Sequence, residues 1–239
     1  MSGTLAAIEY LNMFKYSRTM SPRQDTRQLI LDTALRLFEE RGYARTTMRA
    51  IAEEAGVTPS NAYYWFASKD ELVQAFYLRI QTEHAERAAM ALASGLPLTD
   101  RLRAVEHAFL DVIADYHGFG SAFVAIAISP ESPTHPLSES SAPAREQSMA
   151  IYREVVAGAA PRVPDKVRDI LPELLWLCHL GVTLFWVTDR SPGQERTRRL
   201  VDATVPLITP MLRVARLPWG GAVVDQVRGA LAVAMERAG

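Results

Sequence analysis

The sequence predicts an all-α protein, with an N-terminal three-helix unit followed by a larger helical region. Three observations carry that expectation. Apolar residues recur at three- and four-residue spacing through most of the chain. Glycine, proline and serine clusters, at residues 95–99, 129–143, 161–164, 191–193 and 218–221, cut those stretches into helix-sized lengths. No segment shows the two-residue alternation of a half-buried strand, and no internal repeat is visible.

Residues 1–22 form an N-terminal arm in which Leu5, Ile8, Leu11 and Phe14 fall at helical spacing before Ser21-Pro22 breaks the pattern. A loose arm and a docked amphipathic helix both fit. Residues 25–41 read as a helix with Ile30, Ala34, Leu37 and Phe38 on one stripe, ended by Gly42. Residues 46–69 then read as two short helices around a tight turn. Thr46 or Thr47 caps the first, and Ile51, Ala52 and Ala55 are its inward face. Gly56 supplies the left-handed position after it, and Val57 plugs the turn. Thr58 caps the second helix, and Pro59 suits its first position, where no N–H is needed. This is the construction of a homeodomain-like helix-turn-helix, in which residues 59–66 are the helix offered to DNA.

That second helix is unusual for a core element. Tyr63, Tyr64 and Trp65 are consecutive and cannot all point inward. With Ala62 and Phe66 as the buried pair, Ser60, Asn61, Tyr64 and Tyr63 remain outward. Tyrosine hydroxyls reach phosphates, and asparagine reads base edges in the major groove. Arg49 and Lys69 add positive charge on the flanks. Packing of these aromatics against a neighbouring domain is the plainer alternative.

The next helix starts at Lys69, with Ser68 as N-cap and Glu71 as its capping-box partner, and runs to about residue 93. Beyond the break at 95–99, helices are expected at 99–117, 119–128 and 144–158, with a loop over 129–143. Residues 165–188 are nearly continuously apolar from Leu171, as in a helix buried on several sides. Residues 194–217 form a second long helix that Pro206 and Pro210 kink or break. A last amphipathic helix covers 223–237.

Composition narrows the function classes. A chain of 239 residues with 49% hydrophobic residues buries a core readily. The net charge of -1 announces no nucleic acid overall, although DNA binding needs only one basic face. The single Cys178 excludes an internal disulfide, fits a reducing cytoplasm, and is expected to be buried and inert among apolar neighbours. No apolar run has the length and continuity of a membrane span, and residues 1–20 lack a secretion signal, so a soluble, cytoplasmic protein is expected. No nucleophile elbow, phosphate loop or metal-ligand spacing points to an enzyme, and Ser132, His135 and Glu139 in one loop do not make a triad. No cofactor and no metal are expected.

Residues 27–76 carry a resemblance to the N-terminal domain of TetR-family transcriptional regulators, through ILDTALRLFEERGYARTTMRAIAEEAGVTPSNAYYWFASKDELVQAF. The helix stripe, the turn glycine, Tyr63, Phe66 and Lys69 stand in family order. The resemblance implies DNA contacts from Thr47, Arg49, Pro59, Ser60, Asn61, Tyr63, Tyr64 and Lys69. The chain departs from the family at Ser60, where a smaller residue is common, and at Trp65, where histidine is common. Those departures bear on the operator, not the fold.

The resemblance divides the chain into an arm (1–22), a DNA-binding domain (23–70), a connecting helix (71–95) and a helical ligand-binding and dimerisation domain (96–239). It implies a homodimer joined through 171–188 and 194–215, with recognition helices about one DNA turn apart or slightly more. It also implies a small-molecule effector and release from a palindromic DNA operator. The C-terminal aromatics agree with a largely apolar pocket, although aromatics at helical spacing also fill ordinary cores. The candidate ligand-binding residues are His107, Phe109, Tyr116, Phe123, Trp176, His179 and Trp186. A ligand-independent regulator or an activator is the main alternative.

Overall fold

The computed structural model describes residues 22–92, 95–118, 120, 124, 127 and 132–235. The expectations for residues 1–21, and for most of 119–128, lie outside them. The described residues are helical and loop throughout, with no strand among them. The chain divides between Leu72 and Val73 into two compact units.

The first unit holds α1 (Pro22–Arg41), α2 (Met48–Glu54), α3 (Pro59–Trp65) and the start of α4 (Lys69–Ala91). Ile30, Leu31, Ala34, Leu37 and Phe38 of α1 are buried against Met48, Ile51 and Ala52 of α2 and Ala62 and Phe66 around α3. Thr47 is the residue that caps α2: its hydroxyl oxygen accepts from the Ala50 N–H at 3.1 Å. Thr46 is instead buried, its hydroxyl lying 2.9 Å from the Gly42 carbonyl and 3.1 Å from that of Leu37. It ties the end of α1 to the start of α2.

Gly56 takes φ +67°, the left-handed region where a Cβ would be strained. The Gly56 N–H donates to the Glu53 carbonyl at 3.1 Å and the Val57 N–H to that of Ala52 at 2.9 Å. This pair of bonds satisfies carbonyls that the end of α2 leaves open. Thr58 caps α3 by accepting from the Asn61 N–H at 3.2 Å, with Pro59 in the first helical position. At the start of α4, the Ser68 hydroxyl oxygen accepts from the Glu71 N–H at 3.2 Å. The Glu71 carboxylate reaches one residue further than a simple capping box, to the Ala67 N–H at 2.7 Å.

The second unit holds the rest of α4, α5 (Leu98–Ile113), α6 (Ala142–Ala157), the short α7 (Asp165–Arg168), α8 (Leu171–Thr188), α9 (Glu195–Thr204), α10 (Ile208–Ala215) and α11 (Gly220–Met235). Helix α6 packs on α5 and α8, α9 packs on α5 and α8, and α11 packs on α7 and α10. Arg101 of α5 is 1% exposed, and its guanidinium donates to the carbonyls of Val155 (3.0 Å) and Glu154 (2.8 Å) at the end of α6. A Cβ at Gly158 would clash with that guanidinium, so glycine leaves it room.

The expected long helix over 194–217 is two helices. Pro206 lies in a 3-10 turn, Val205–Leu207, between α9 and α10, because proline cannot donate the helical bond there. Buried Asp189 organises the turn before α9. Its carboxylate accepts from the N–H and hydroxyl of both Ser191 (2.9 and 2.7 Å) and Thr197 (2.8 Å each). Burial alone would raise its pKa, but these four bonds outweigh it and hold the carboxyl well below the ordinary range.

Helix α8 is less enclosed than its composition suggests. Leu171, Leu175, Trp176, His179 and Trp186 face the core, while Cys178, Gly181 and Leu184 are exposed. Cys178 is therefore not the buried thiol expected from its neighbours. It falls on the outward stripe of the helix, one residue away from the inward His179. By length and composition α8 qualifies as a membrane span. Its inward face is instead tied to α5 through a hydrogen bond between His179 and buried Glu106, as in a core helix.

Candidate DNA-reading helix and effector cavity

Helix α3 buries Ala62 fully and leaves Phe66, at its end, 2% exposed. Tyr63 and Tyr64 are 53% and 72% exposed, and Ser60 and Asn61 are exposed as well. The four-residue spacing of the buried pair dictates this, since the intervening side chains fall on the opposite face. Tyr64 leans edge-on against Trp65, ring centroids 5.1 Å apart. Arg23 and Thr26, from the first turn of α1, complete a shallow concavity with Asn61, Tyr64 and Trp65. Sequence reasoning missed Arg23, because nothing local in the sequence shows that the start of α1 lies beside α3.

The flanking cations differ from one another. Arg49 is exposed and has no hydrogen-bond or ion-pair partner among the described residues. Lys69 is half-buried: its ammonium donates to the Tyr43 carbonyl at 2.7 Å and lies 4.1 Å from the centre of the Tyr43 ring. Burial lowers its pKa, with neighbouring Asp70 opposing the shift. The Tyr43 hydroxyl donates to Asp70 at 2.5 Å, and burial followed by that bond raises the phenol pKa. Lys69 thus fastens the start of α4 to the turn after α1. Thr47 and Pro59, as cap and first residue, lie exposed at the N-termini of α2 and α3.

The second unit holds a partly open cavity of about 450 Å³ between α4, α5, α6, α8 and the loop at 135–141. Of the candidate ligand-binding residues, Phe109, Tyr116, Trp176, His179 and Trp186 line it. His107 does not. It turns outward to α9, where its Nε2 lies 3.0 Å from the Asp202 carboxylate. Phe123 lies outside the described residues. Gln81 of α4 and Ser148 of α6 also line the cavity and were not foreseen. Each is a polar residue on an otherwise apolar face, which is the signal that could have found them.

Behind the cavity wall lies a buried polar cluster. Glu106 of α5 accepts from the Tyr152 hydroxyl at 2.6 Å and from His179 Nδ1 at 3.1 Å. Burial opposes its ionisation, but the charge of His179 and the bonds from His179 and Tyr152 outweigh it and hold its pKa below the ordinary carboxylate value. His84 of α4 donates from Nε2 to the Val105 carbonyl at 3.1 Å and stacks 5.9 Å from His179. His84 Nδ1 is buried without a hydrogen-bond partner. No metal-binding group of His, Cys, Asp and Glu occurs among the described residues. At the cavity mouth, Tyr77 donates to the Thr134 carbonyl at 3.1 Å, and Gln74 Nε2 to that of Pro133 at 2.9 Å, so the loop is pinned to α4. The His135 Nδ1 accepts from the Leu137 N–H at 3.1 Å.

An all-helical chain with a capped helix-turn-helix in one unit and an apolar cavity in the other has the build of a one-component transcriptional regulator. Residues 30–76 match the family model described as bacterial regulatory proteins, tetR family. Residues 101–228, more than half the chain, match that for the Tetracyclin repressor-like C-terminal domain. The chain belongs to the TetR family of transcriptional regulators, proteins that act on transcription and are not enzymes. It is 38% identical over 100 residues to the HTH-type transcriptional regulator TtgR of Pseudomonas putida, covering 41% of this chain and 48% of that one. It is 35% identical over 107 residues to the HTH-type transcriptional activator FasR of Mycolicibacterium smegmatis, covering 43% and 47%. The chain thus spans about half the length, or less, of the curated relatives it matches. Its fold also resembles the crystal structure of a TetR-family regulator from Syntrophomonas wolfei, with a TM-score of 0.62, 17% identity, and coverage of 77% of this chain and 95% of that one.

Proposed function

We propose that the protein is a ligand-responsive repressor that binds a palindromic operator as a homodimer and releases it when a small, largely apolar molecule fills the cavity. The observation that carries this reading is the pairing of an outward Asn61–Tyr63–Tyr64 surface on a capped α3 with a partly open, largely apolar cavity in the second unit. In this reading residues 23–70 contact DNA, 71–95 connect, and 96–239 bind effector and dimerise. Asn61 reads base edges, while Tyr63, Tyr64, Ser60, Thr47, Pro59, Arg49 and Arg23 hold the backbone. Lys69 supports that surface from beneath. A cytoplasmic location follows from a DNA target.

Dimerisation is supported by the apolar residues that α8 to α10 leave outside. Leu207 and Met211 are 58% and 68% exposed, apolar side chains that a dimer interface would cover. A monomer at micromolar concentration in sedimentation would sink this part of the proposal. The DNA reading is tested by selecting operators from a random duplex library and comparing wild type with Tyr64→Ala. An enriched palindrome whose affinity falls about tenfold in the variant is expected. Equal affinity in Tyr64→Ala and Asn61→Ala would remove α3 from the interface. The similarity to the activator FasR supports a second reading, in which bound protein activates. A reporter gene behind the selected operator decides between the two by its sign.

A further inference from the structure

The polar atoms in the cavity wall indicate what fills it, on the reading of that cavity as the effector site. Ser148 is 1% exposed, and its hydroxyl has no hydrogen-bond partner. Gln81 Oε1 is buried without a partner too, and the Gln81 side chain makes no hydrogen bond among the described residues. Leaving such groups unpaired costs on the order of 1–3 kcal/mol each, and buried polar groups in folded proteins nearly always have partners. Both line the same otherwise apolar cavity, one from α4 and one from α6.

The charged groups nearby are already matched. The Arg145 guanidinium donates to the loop carbonyls of Pro136 (2.6 Å) and Ser138 (3.0 Å). His179 spends Nδ1 on Glu106, whose carboxylate is also bonded by Tyr152. Glu106 stands behind the cavity wall, already paired with His179 and Tyr152, so it offers neither a carboxylate nor an ammonium in the cavity an unmatched partner. Burying an unmatched ion costs far more than burying a hydroxyl.

We infer that the cavity takes a neutral, predominantly apolar molecule carrying a hydroxyl group, which bonds Ser148 Oγ and the Gln81 amide. A hydroxyl donates and accepts at once, as do a serine hydroxyl and a primary amide, so one such group satisfies both. The volume accommodates a fused or linked pair of rings, and the aromatic faces of Phe109, Trp176 and Trp186 supply its contact surface.

The test uses the full chain in equilibrium dialysis at pH 7 against naphthalene, 2-naphthol, 2-naphthoate and 2-naphthylmethylammonium. The naphthol is expected to bind about tenfold more tightly than naphthalene, and at least about 100-fold more tightly than either ion. Ser148→Ala and Gln81→Leu should each weaken naphthol severalfold and together about tenfold, while naphthalene stays within about twofold. Ser148→Ala removes an oxygen that the protein itself leaves unbonded, so it keeps the fold. An ion binding as well as naphthol, variants that leave naphthol unchanged, or no binding by any of the four would each overturn the inference. Operator release is read in parallel. Hydroxyl-dependent binding without release supports this inference and sinks only the regulatory reading.

Discussion

His84 gives the protein a built-in acid sensitivity whose size follows from its surroundings. Its side chain is wholly buried on α4, bonded through Nε2 to the Val105 carbonyl and packed 5.2 Å from Phe109 and 5.9 Å from His179. Burial first, and then the charge of His179, push its pKa from 6.5 down to about 4, against the opposing pull of Glu106 and the Val105 carbonyl. The unfolded chain therefore takes up a proton near pH 6.5 that the folded chain refuses until about pH 4. Between those values the unfolded state binds more protons, so stability falls as pH is lowered. At pH 4.5 the loss reaches about 2.5 kcal/mol relative to pH 8, where it has vanished. Glu106, whose pKa is depressed below its ordinary 4.5, contributes its own loss only as pH falls below that value, so the two windows separate. His84→Leu removes the titration at similar volume and leaves the Val105 carbonyl its helical environment, at a cost of about 1 kcal/mol at pH 8. Urea unfolding followed by circular dichroism at pH 8, 6.5, 5.5 and 4.5 measures the difference. The wild type should lose about 2 kcal/mol more than the variant between pH 6.5 and 4.5. Parallel losses in both proteins would refute the assignment of the acid sensitivity to His84.

The other predictions concern the DNA-reading unit and the turn before α9. Arg49→Ala should leave the melting temperature unchanged and flatten the salt dependence of operator binding by about one unit of slope. Lys69→Ala should instead destabilise the first unit by about 1 kcal/mol, through its lost bond to the Tyr43 carbonyl, in thermal unfolding. Gly56→Ala places a Cβ at φ +67° and should cost about 1–2 kcal/mol, with weaker operator binding as the turn between α2 and α3 loosens. Asp189→Ala leaves the N–H groups of Ser191 and Thr197 without their acceptor and should cost about 2–4 kcal/mol in urea unfolding. The wild-type contribution of Asp189 is full above its unfolded pKa and fades as pH falls through its depressed folded value.

The helix-turn-helix was legible because its signals are local. A cap acts on the next three residues, a left-handed glycine on the next two, and the Ala62–Phe66 spacing fixes which side chains of α3 are outward. Helix breaks at Gly42 and Pro206 were legible for the same reason. What depended on residues far apart in the chain was not. Arg49 and Lys69 look alike as flanking cations, yet Tyr43, 26 positions from Lys69, captures one of them. His107 and His179 look alike as polar residues among aromatics, yet Asp202 draws the first outward and Glu106 holds the second against the cavity. Cys178 stands in a nearly continuously apolar stretch but takes an outward face of α8. Such outcomes are set by helix rotation, and a near-uniformly apolar helix carries too little amphipathic contrast to reveal its rotation.

Helix α4 links the two halves of the proposed mechanism. Its first turn is fastened by Lys69 and Asp70 to Tyr43, and later on the same helix Gln81 lines the cavity and His84 belongs to the cluster behind it. A ligand shifts the regulator only by as much as its affinity differs between the DNA-competent and released states. A tenfold preference is about 1.4 kcal/mol, the scale of one hydrogen bond made in one state and lost in the other. Gln81 is the cavity residue able to supply that difference directly, since it rides on α4 and has no bond to give up. Ser148 sits on α6, where α5 and α8 both pack, and lacks that freedom. Gln81→Leu should therefore weaken operator release by 2-naphthol more than it weakens binding of that compound, whereas Ser148→Ala should weaken the two in proportion. Proportional losses in both variants would place the coupling elsewhere than α4.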